Sequence, residues 1–173
     1  KHIYIIGIRS CAPLASFMAF YFTLMFPNVH LIQTSSSSEI FEQMVRIGKE
    51  DVIIGISFPR YSMRTLKAME FANNRSAKVI TLTDSVHSPM NLYSSCNLIA
   101  DSDMASIVDS LVAPLSVINA LIVALCMKKQ NEVAKTLEML EDIWDEYQVY
   151  ENDEINYIDD SIKMRYGKVG DAE

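Results

Sequence analysis

The sequence predicts an α/β fold: a five-stranded parallel sheet with helices on both faces. Three observations predict it. Short apolar runs, many of them β-branched, recur at Ile3–Ile6, Val29–Gln33, Asp51–Ile56, Lys78–Leu82 and Asn97–Ala100. Such runs suit strands buried on both faces of a parallel sheet. Helical segments alternate with them, and the connections are short, which is the α/β signature. The chain has 173 residues, about one domain, and half of them are apolar, enough for a substantial core. No internal repeat is visible.

Taken in order, Ile3–Ile6 is the first strand and Gly7–Cys11 a turn. Pro13 stands where a helix can begin, and residues 12–26 are apolar almost throughout, ending before Pro27-Asn28. A helix apolar all round is deep core or is covered by a partner. Val29–Gln33 is the second strand. Thr34–Ser38 is a hydroxyl-rich loop, with Ser38 a candidate cap for a helix over 39–47 that stops at Gly48. Asp51–Ile56 is the third strand, and Ser57–Ser62 breaks its pattern. Pro59 has no N–H to donate and holds Phe58 extended. Ser62 is a candidate N-cap for a helix over 63–74. Lys78–Leu82 is strand four, and Ser88-Pro89 opens a short helix near 90–93. After strand five, a long apolar helix is expected over 107–127 and an amphipathic one over 132–147. From Val149 the chain is acidic and weakly patterned, and is expected to be loosely ordered.

The formal charge is −7, but eleven of the 22 acidic and three of the 15 basic side chains lie from Glu141 onward, so residues 1–140 carry +1. That balance gives no electrostatic footprint for direct nucleic-acid binding. Cys11, Cys96 and Cys126 are an odd number without Cys-x-x-Cys spacing, so reduced thiols and a cytoplasmic location are expected. His2, His30 and His87 lack metal-ligand spacing, and no cofactor is expected. Residues 111–127 are nearly long enough for a membrane span, but Pro114, Ser116 and Asn119 interrupt them. No membrane association is expected. Two strongly apolar helices favour a homodimer or higher homo-oligomer. Because the chain opens directly on a strand without an initiator Met, a segment preceding it is expected to be missing.

In parallel sheets ligands sit beyond the carboxyl ends of the strands, where the winding direction reverses. If strands one and three are neighbours, the loops Gly7–Cys11 and Ser57–Ser62 meet there. They offer Arg9, Ser10, Ser57, Arg60, Tyr61 and Ser62 beside a helix N-terminus, a setting that attracts anions. Each residue has a plainer reading. The serines also serve as turn and cap hydroxyls, the arginines as helix or interface partners, and Tyr61 as a packing ring. Cys11 is a weaker candidate, as a thiol at a helix N-terminus. Ser35, Ser36 and Asp84 are further candidates, with a solvated loop or a turn cap as the alternative.

The sequence Gly7-x-Arg9-Ser10-Cys11, with Ile56-Ser57-Phe58-Pro59-Arg60-Tyr61-Ser62, resembles the sugar isomerase (SIS) domain. It is most similar to the SIS domain of RpiR/MurR-type bacterial transcriptional regulators. Val79–Ser85, Ser88-Pro89 and Asp109–Leu115 support this, and the match covers residues 3–128 in order. The resemblance implies a doubly wound, flavodoxin-like three-layer α/β/α domain over 1–147, an acidic tail over 148–173, and a dimer that binds a phosphorylated sugar. It implies that DNA is bound only through an N-terminal helix-turn-helix domain absent here. Ser10, Ser57 and Ser62 match the family's phosphate-contacting hydroxyls. The loops depart from the commoner pattern: Arg9 and Arg60 stand where Gly is common, Pro59 and Cys11 where Ser is common, and Ser62 where Thr is common. Losing Gly limits close backbone approach, which shifts phosphate binding toward guanidinium groups.

Three functions follow from different classes. The first is an effector-sensing module of a transcription factor, without chemistry of its own. The second is a sugar-phosphate isomerase, which needs a base near C1 and C2. The pocket loops hold no Glu or His; Asp84 is the nearest carboxylate, and Asp101 and Asp103 lie beyond strand five. The third is a dimerisation domain without a ligand. The missing base favours the sensor.

Overall fold

Strands β1 (Ile3–Gly7), β2 (Val29–Ile32), β3 (Val52–Ile56), β4 (Lys78–Thr83) and β5 (Cys96–Ile99) form one sheet in the order β2-β1-β3-β4-β5. Every neighbouring pair is parallel. This is a computed structural model, and it describes residues 1–34, 36–102 and 110–150. The helices are α1 (Ala12–Met25), α2 (Ser37–Gln43), α3 (Met63–Asn74), α4 (Val112–Lys128) and α5 (Gln130–Glu146), with 3-10 turns at Arg9–Cys11 and Pro89–Tyr93. The chain divides into two units, Lys1–Gln130 and Asn131–Glu173. The first carries the sheet and the cleft described below.

The strand sequences explain their place. Side chains of a strand alternate between faces, so Tyr4, Ile6, Ile53 and Val79 join one core cluster with Ile40, Met44 and Ile47, and with Ala68, Met69 and Ala72 of α3. On the opposite face α1 packs on β1 and β2 and touches α4. Leu14, Ala15, Met18, Phe22 and Met25 of α1 are buried, as are Ile118 and Ile122 of α4. Truncating a fully buried methionine such as Met18 would cost about 2–5 kcal/mol. Gly55 lies on the α3 face of β3, where a Cβ would stand 2.4 Å from the Met69 sulfur.

Several expected boundaries move. The second helix spans Ser37–Gln43, with Ser36 rather than Ser38 at its N-cap. It stops early because Met44 N–H is shared between the Ile40 and Phe41 carbonyls and the chain turns to bury Met44 and Ile47. The apolar helix expected from 107 begins at Val112; residues 107–109 lie outside the described residues, and Ser110 and Leu111 are not helical. Pro114 supplies the reason. In mid-helix it would delete a backbone bond, whereas in the first turn its missing N–H costs nothing. The fifth strand is shifted by one residue, to Cys96–Ile99. Asp51 precedes β3 instead of entering it: its carboxylate accepts from the His2 N–H at 2.8 Å and the Gly48 N–H at 2.9 Å. The stretch expected as an acidic tail lies outside the described residues from 151 on.

Candidate functional site

The winding reverses between β1 and β3. The chain leaves β1 for β2 on one side, then crosses back to lay β3 on the other. Loops leaving the carboxyl ends of these two strands must therefore face one another. They do: residues 8–11 and 57–64 line a single cleft of about 520 Å3, within the usual size of a small-molecule site, roughly 300–1,000 Å3.

Local chemistry shapes each wall. After β1, a Cβ on Gly7 would lie 2.4 Å from the Cys11 carbonyl oxygen and 3.0 Å from the Ala15 Cβ. Only glycine lets the 3-10 turn fold back so closely onto the strand. Arg9, the first residue of that turn, takes φ = 59°, and Cys11, buried, occupies the N-cap position of α1. After β3, Ser57 continues the sheet edge by donating its N–H to Leu82 O at 3.1 Å. Phe58 is buried and anchors the loop, while Pro59 and Arg60 project outward. Arg60 takes φ = 65°. Both arginines thus occupy the left-handed region, which a side-chain-bearing residue reaches only at a cost.

The serine hydroxyls are polarised by the backbone. Ser57, only 3 % exposed, accepts the Ser62 N–H at 3.0 Å. Ser62 caps α3, its Oγ accepting from the Thr65 N–H at 3.4 Å. A serine hydroxyl has one proton to give; with one lone pair engaged by an N–H group, the Ser57 and Ser62 hydroxyls can donate it to an acceptor in the cleft. Among the described residues, those lining the cleft include no Asp, Glu or His. Its walls present guanidinium, hydroxyl and amide groups, which suit an anion.

Tyr61 lines the cleft, and its hydroxyl donates to Asp84 Oδ1 at 2.9 Å. Burial pushes the Tyr61 hydroxyl above its ordinary value of 10.0, and the bond to Asp84 adds to this, against a smaller opposing contribution from Ser88. The Thr83 hydroxyl lies 3.1 Å from Asp84 Oδ1 and 2.9 Å from Ser88 Oγ. Asp84 is therefore behind Tyr61, holding the ring, and is not among the residues lining the cleft.

Of the residues singled out from the sequence, Arg9, Ser10, Cys11, Ser57, Arg60, Tyr61 and Ser62 line this cleft together. Ser36 does not; it stands at the N-cap of α2, with its Oγ 2.8 Å from Ser38 Oγ. Ser35 and Asp103 lie outside the described residues. Sequence reasoning missed Ile8, Phe58, Pro59, Met63 and Arg64 as wall residues. For Met63 and Arg64 the signal was present, since both follow the Ser62 cap in the first turn of α3. The stacked pair His2 and His30, with Nδ1 and Nε2 2.8 Å apart, was not foreseen either. It sits at the amino ends of β1 and β2, away from the cleft. Among the described residues no group of three metal-ligating side chains occurs, and no single helix is long and apolar enough to cross a membrane.

Comparison with known proteins agrees with this architecture. A family model described as SIS domain matches residues 1–124. An uncharacterized HTH-type transcriptional regulator of Caldanaerobacter subterraneus subsp. tengcongensis is 32% identical over 98 residues. That match covers 54% of this chain and 35% of the relative, so the chain spans about a third of it. The sugar isomerase domain of an RpiR transcription factor from Sphaerobacter thermophilus superposes with a TM-score of 0.77 at 21% identity, over 82% of this chain and 79% of that one. The Vibrio vulnificus NanR protein complexed with ManNAc-6P gives 0.70 at 18% identity, over 83% and 56%. At these identities the structural likeness is one of fold. Other structures of the same fold are described as sugar-phosphate isomerases.

Proposed function

The chain belongs to the SIS domain family, and from that premise we propose that it is the effector-sensing part of an RpiR-type transcriptional regulator of carbohydrate metabolism. A phosphorylated sugar binds in the cleft between the β1 and β3 loops. The observation that carries this reading is the convergence of Arg9, Ser10, Ser57, Arg60 and Ser62 on one cleft, with no carboxylate among the described residues of its wall. Arg60 and the Ser57 and Ser62 hydroxyls hold the phosphate at the N-terminus of α3, where backbone N–H groups and the helix dipole favour negative charge. The regulator named among the relatives and the ManNAc-6P carried by NanR support the same direction. The sensor works as a homodimer, and DNA is contacted through another part of the full protein. Ligand binding changes DNA affinity only insofar as the ligand prefers one of two arrangements.

A thermal-shift panel of phosphosugars tests this. At a hundredfold excess over Kd a ligand stabilises by about 2.7 kcal/mol, a rise of roughly 5–10 °C for a chain of this size. Arg60→Ala should erase most of that rise; an undiminished shift would remove Arg60 from the site.

Isomerase activity is the second reading, because Asp84 stands one side chain behind the wall, bonded to Tyr61. That same bond disfavours it. A base for C1–C2 proton transfer must reach the substrate within about 3 Å or through one water, and the Asp84 Oδ1 is occupied by the Tyr61 hydroxyl. Aldose–ketose interconversion of any bound phosphosugar, abolished by Asp84→Asn, would replace the sensor with an enzyme.

A further inference from the structure

The two walls of the cleft repeat one another. In each, an arginine with φ near 60° stands three residues before the first residue of a helix: Arg9 before Ala12 of α1, Arg60 before Met63 of α3. Both arginines are exposed at the cleft. Among the described residues neither has a carboxylate partner, and no acidic residue lines the space between them. The α3 wall already contains what a phosphate monoester needs. It has the Arg60 guanidinium, able to bond two oxygens, with Arg64 of α3 beside it in the wall, and the Ser57 and Ser62 hydroxyls, which accept from the Ser62 and Thr65 N–H groups. A neutral sugar attached to that phosphate would face a second guanidinium across the cleft with no charge to meet it. Sugar hydroxyls are read by groups that both accept and donate, and an arginine only donates.

We propose that the ligand carries two anionic groups: a phosphate on the Arg60 side and a carboxylate or second phosphate on the Arg9 side. The cleft thus takes a phosphorylated sugar acid or a sugar bisphosphate in preference to the phosphate of a neutral sugar. This rests on the phosphosugar reading and narrows it. Arg9 is the residue that sets the preference, because it stands on the β1 loop, apart from the Arg60, Ser57 and Ser62 groups assigned to the phosphate.

Calorimetric titration of the chain with matched compounds tests the proposal. The pairs are glucose 6-phosphate against 6-phosphogluconate, and glycerol 3-phosphate against 3-phosphoglycerate, at equal ionic strength. Fructose 1,6-bisphosphate and gluconate complete the set. In at least one pair the doubly anionic member should bind about tenfold tighter or better, a difference readily resolved in Kd. Fructose 1,6-bisphosphate reports whether the second anion is phosphate rather than carboxylate. Arg9→Gln should abolish the advantage, costing the doubly anionic member of a pair at least about tenfold more in Kd than its singly phosphorylated counterpart. Arg60→Gln should weaken every phosphorylated compound. Equal affinities within both pairs and for the bisphosphate, still dependent on Arg60, would overturn the two-anion proposal and leave the phosphosugar reading standing. So would an Arg9→Gln loss as large for glucose 6-phosphate as for 6-phosphogluconate, since one phosphate would then bridge both arginines. Absence of binding by every phosphorylated compound, or gluconate binding as tightly as its phosphate, would overturn both. The wild-type comparison decides even if a variant does not fold.

Discussion

Ser57 Oγ accepts the backbone N–H of Ser62 at 3.0 Å, tying the end of β3 to the cap of α3 across the Phe58–Tyr61 loop. One side chain therefore closes the loop and presents a proton to the cleft. Replacing Ser57 with Ala leaves the Ser62 N–H without its acceptor in a half-buried position. The expected loss is about 1–3 kcal/mol of folding stability, measured by chemical denaturation, together with a smaller phosphosugar-induced thermal shift. Unchanged stability would mean that water replaces the hydroxyl and that Ser57 does not close the loop.

Arg60 separates stability from binding. At φ = 65° its backbone is strained by about 1–2 kcal/mol relative to the right-handed region, and glycine would remove that strain at the cost of a more flexible unfolded chain. The net expectation for Arg60→Gly is a gain of about 0.5–1 kcal/mol in unfolding free energy, with loss of the ligand-induced shift. A variant more stable yet blind to ligand would assign the strain to binding. A destabilised Arg60→Gly would instead mean that the guanidinium supports the loop itself.

Much of this was legible in the sequence because it rests on patterns short in range. The β-branched runs marked the strands, and alternation with helices marked a parallel sheet. The meeting of the Arg9 and Arg60 loops followed from the single assumption that β1 and β3 are neighbours, which their pairing from Ile3 with Val52 to Gly7 with Ile56 bears out. What the sequence could not display depends on three-dimensional register. Neither arginine announces a positive φ by its own residue type. The bond from Tyr61 to Asp84 spans 23 positions; it turns an apparent pocket carboxylate into a support for the ring. Ser38 lost the cap of α2 to Ser36 within a run of similar serines, where composition alone does not choose.

Alkaline pH should reveal the support given by Tyr61. Its hydroxyl is held above 10.0 first by burial and then by the Asp84 bond, and Tyr4 is raised as well, by burial and then by the Asp51 charge, with Arg46 opposing. Both favour the neutral phenol in the folded state. Their contribution is thus fully present below about pH 10, the unfolded value, and is lost as pH rises through the higher folded values. Denaturation midpoints should be flat up to about pH 9 and fall above about pH 10. Tyr61→Phe should flatten part of that fall. A profile identical for Tyr61→Phe and wild type would show that the phenol is as readily ionised folded as unfolded.

The outward side of α1 and α4 makes the last prediction. These helices touch each other, yet Phe20 is 62%, Val123 58% and Met127 74% exposed. Aromatic and aliphatic side chains this exposed on two adjoining helices offer apolar surface to a partner. A second copy of the chain is the occupant that the proposed homodimer requires, and a two-fold contact would let the same face cover itself. Light scattering at micromolar concentration should therefore give twice the chain mass, and the double substitution Phe20→Glu with Val123→Glu should give the single mass with secondary structure retained. Carboxylates facing each other across a two-fold axis repel and must be desolvated, which a non-obligate pair does not survive. A wild-type chain that scatters as one copy, or a doubly substituted chain that still pairs, would move the interface elsewhere.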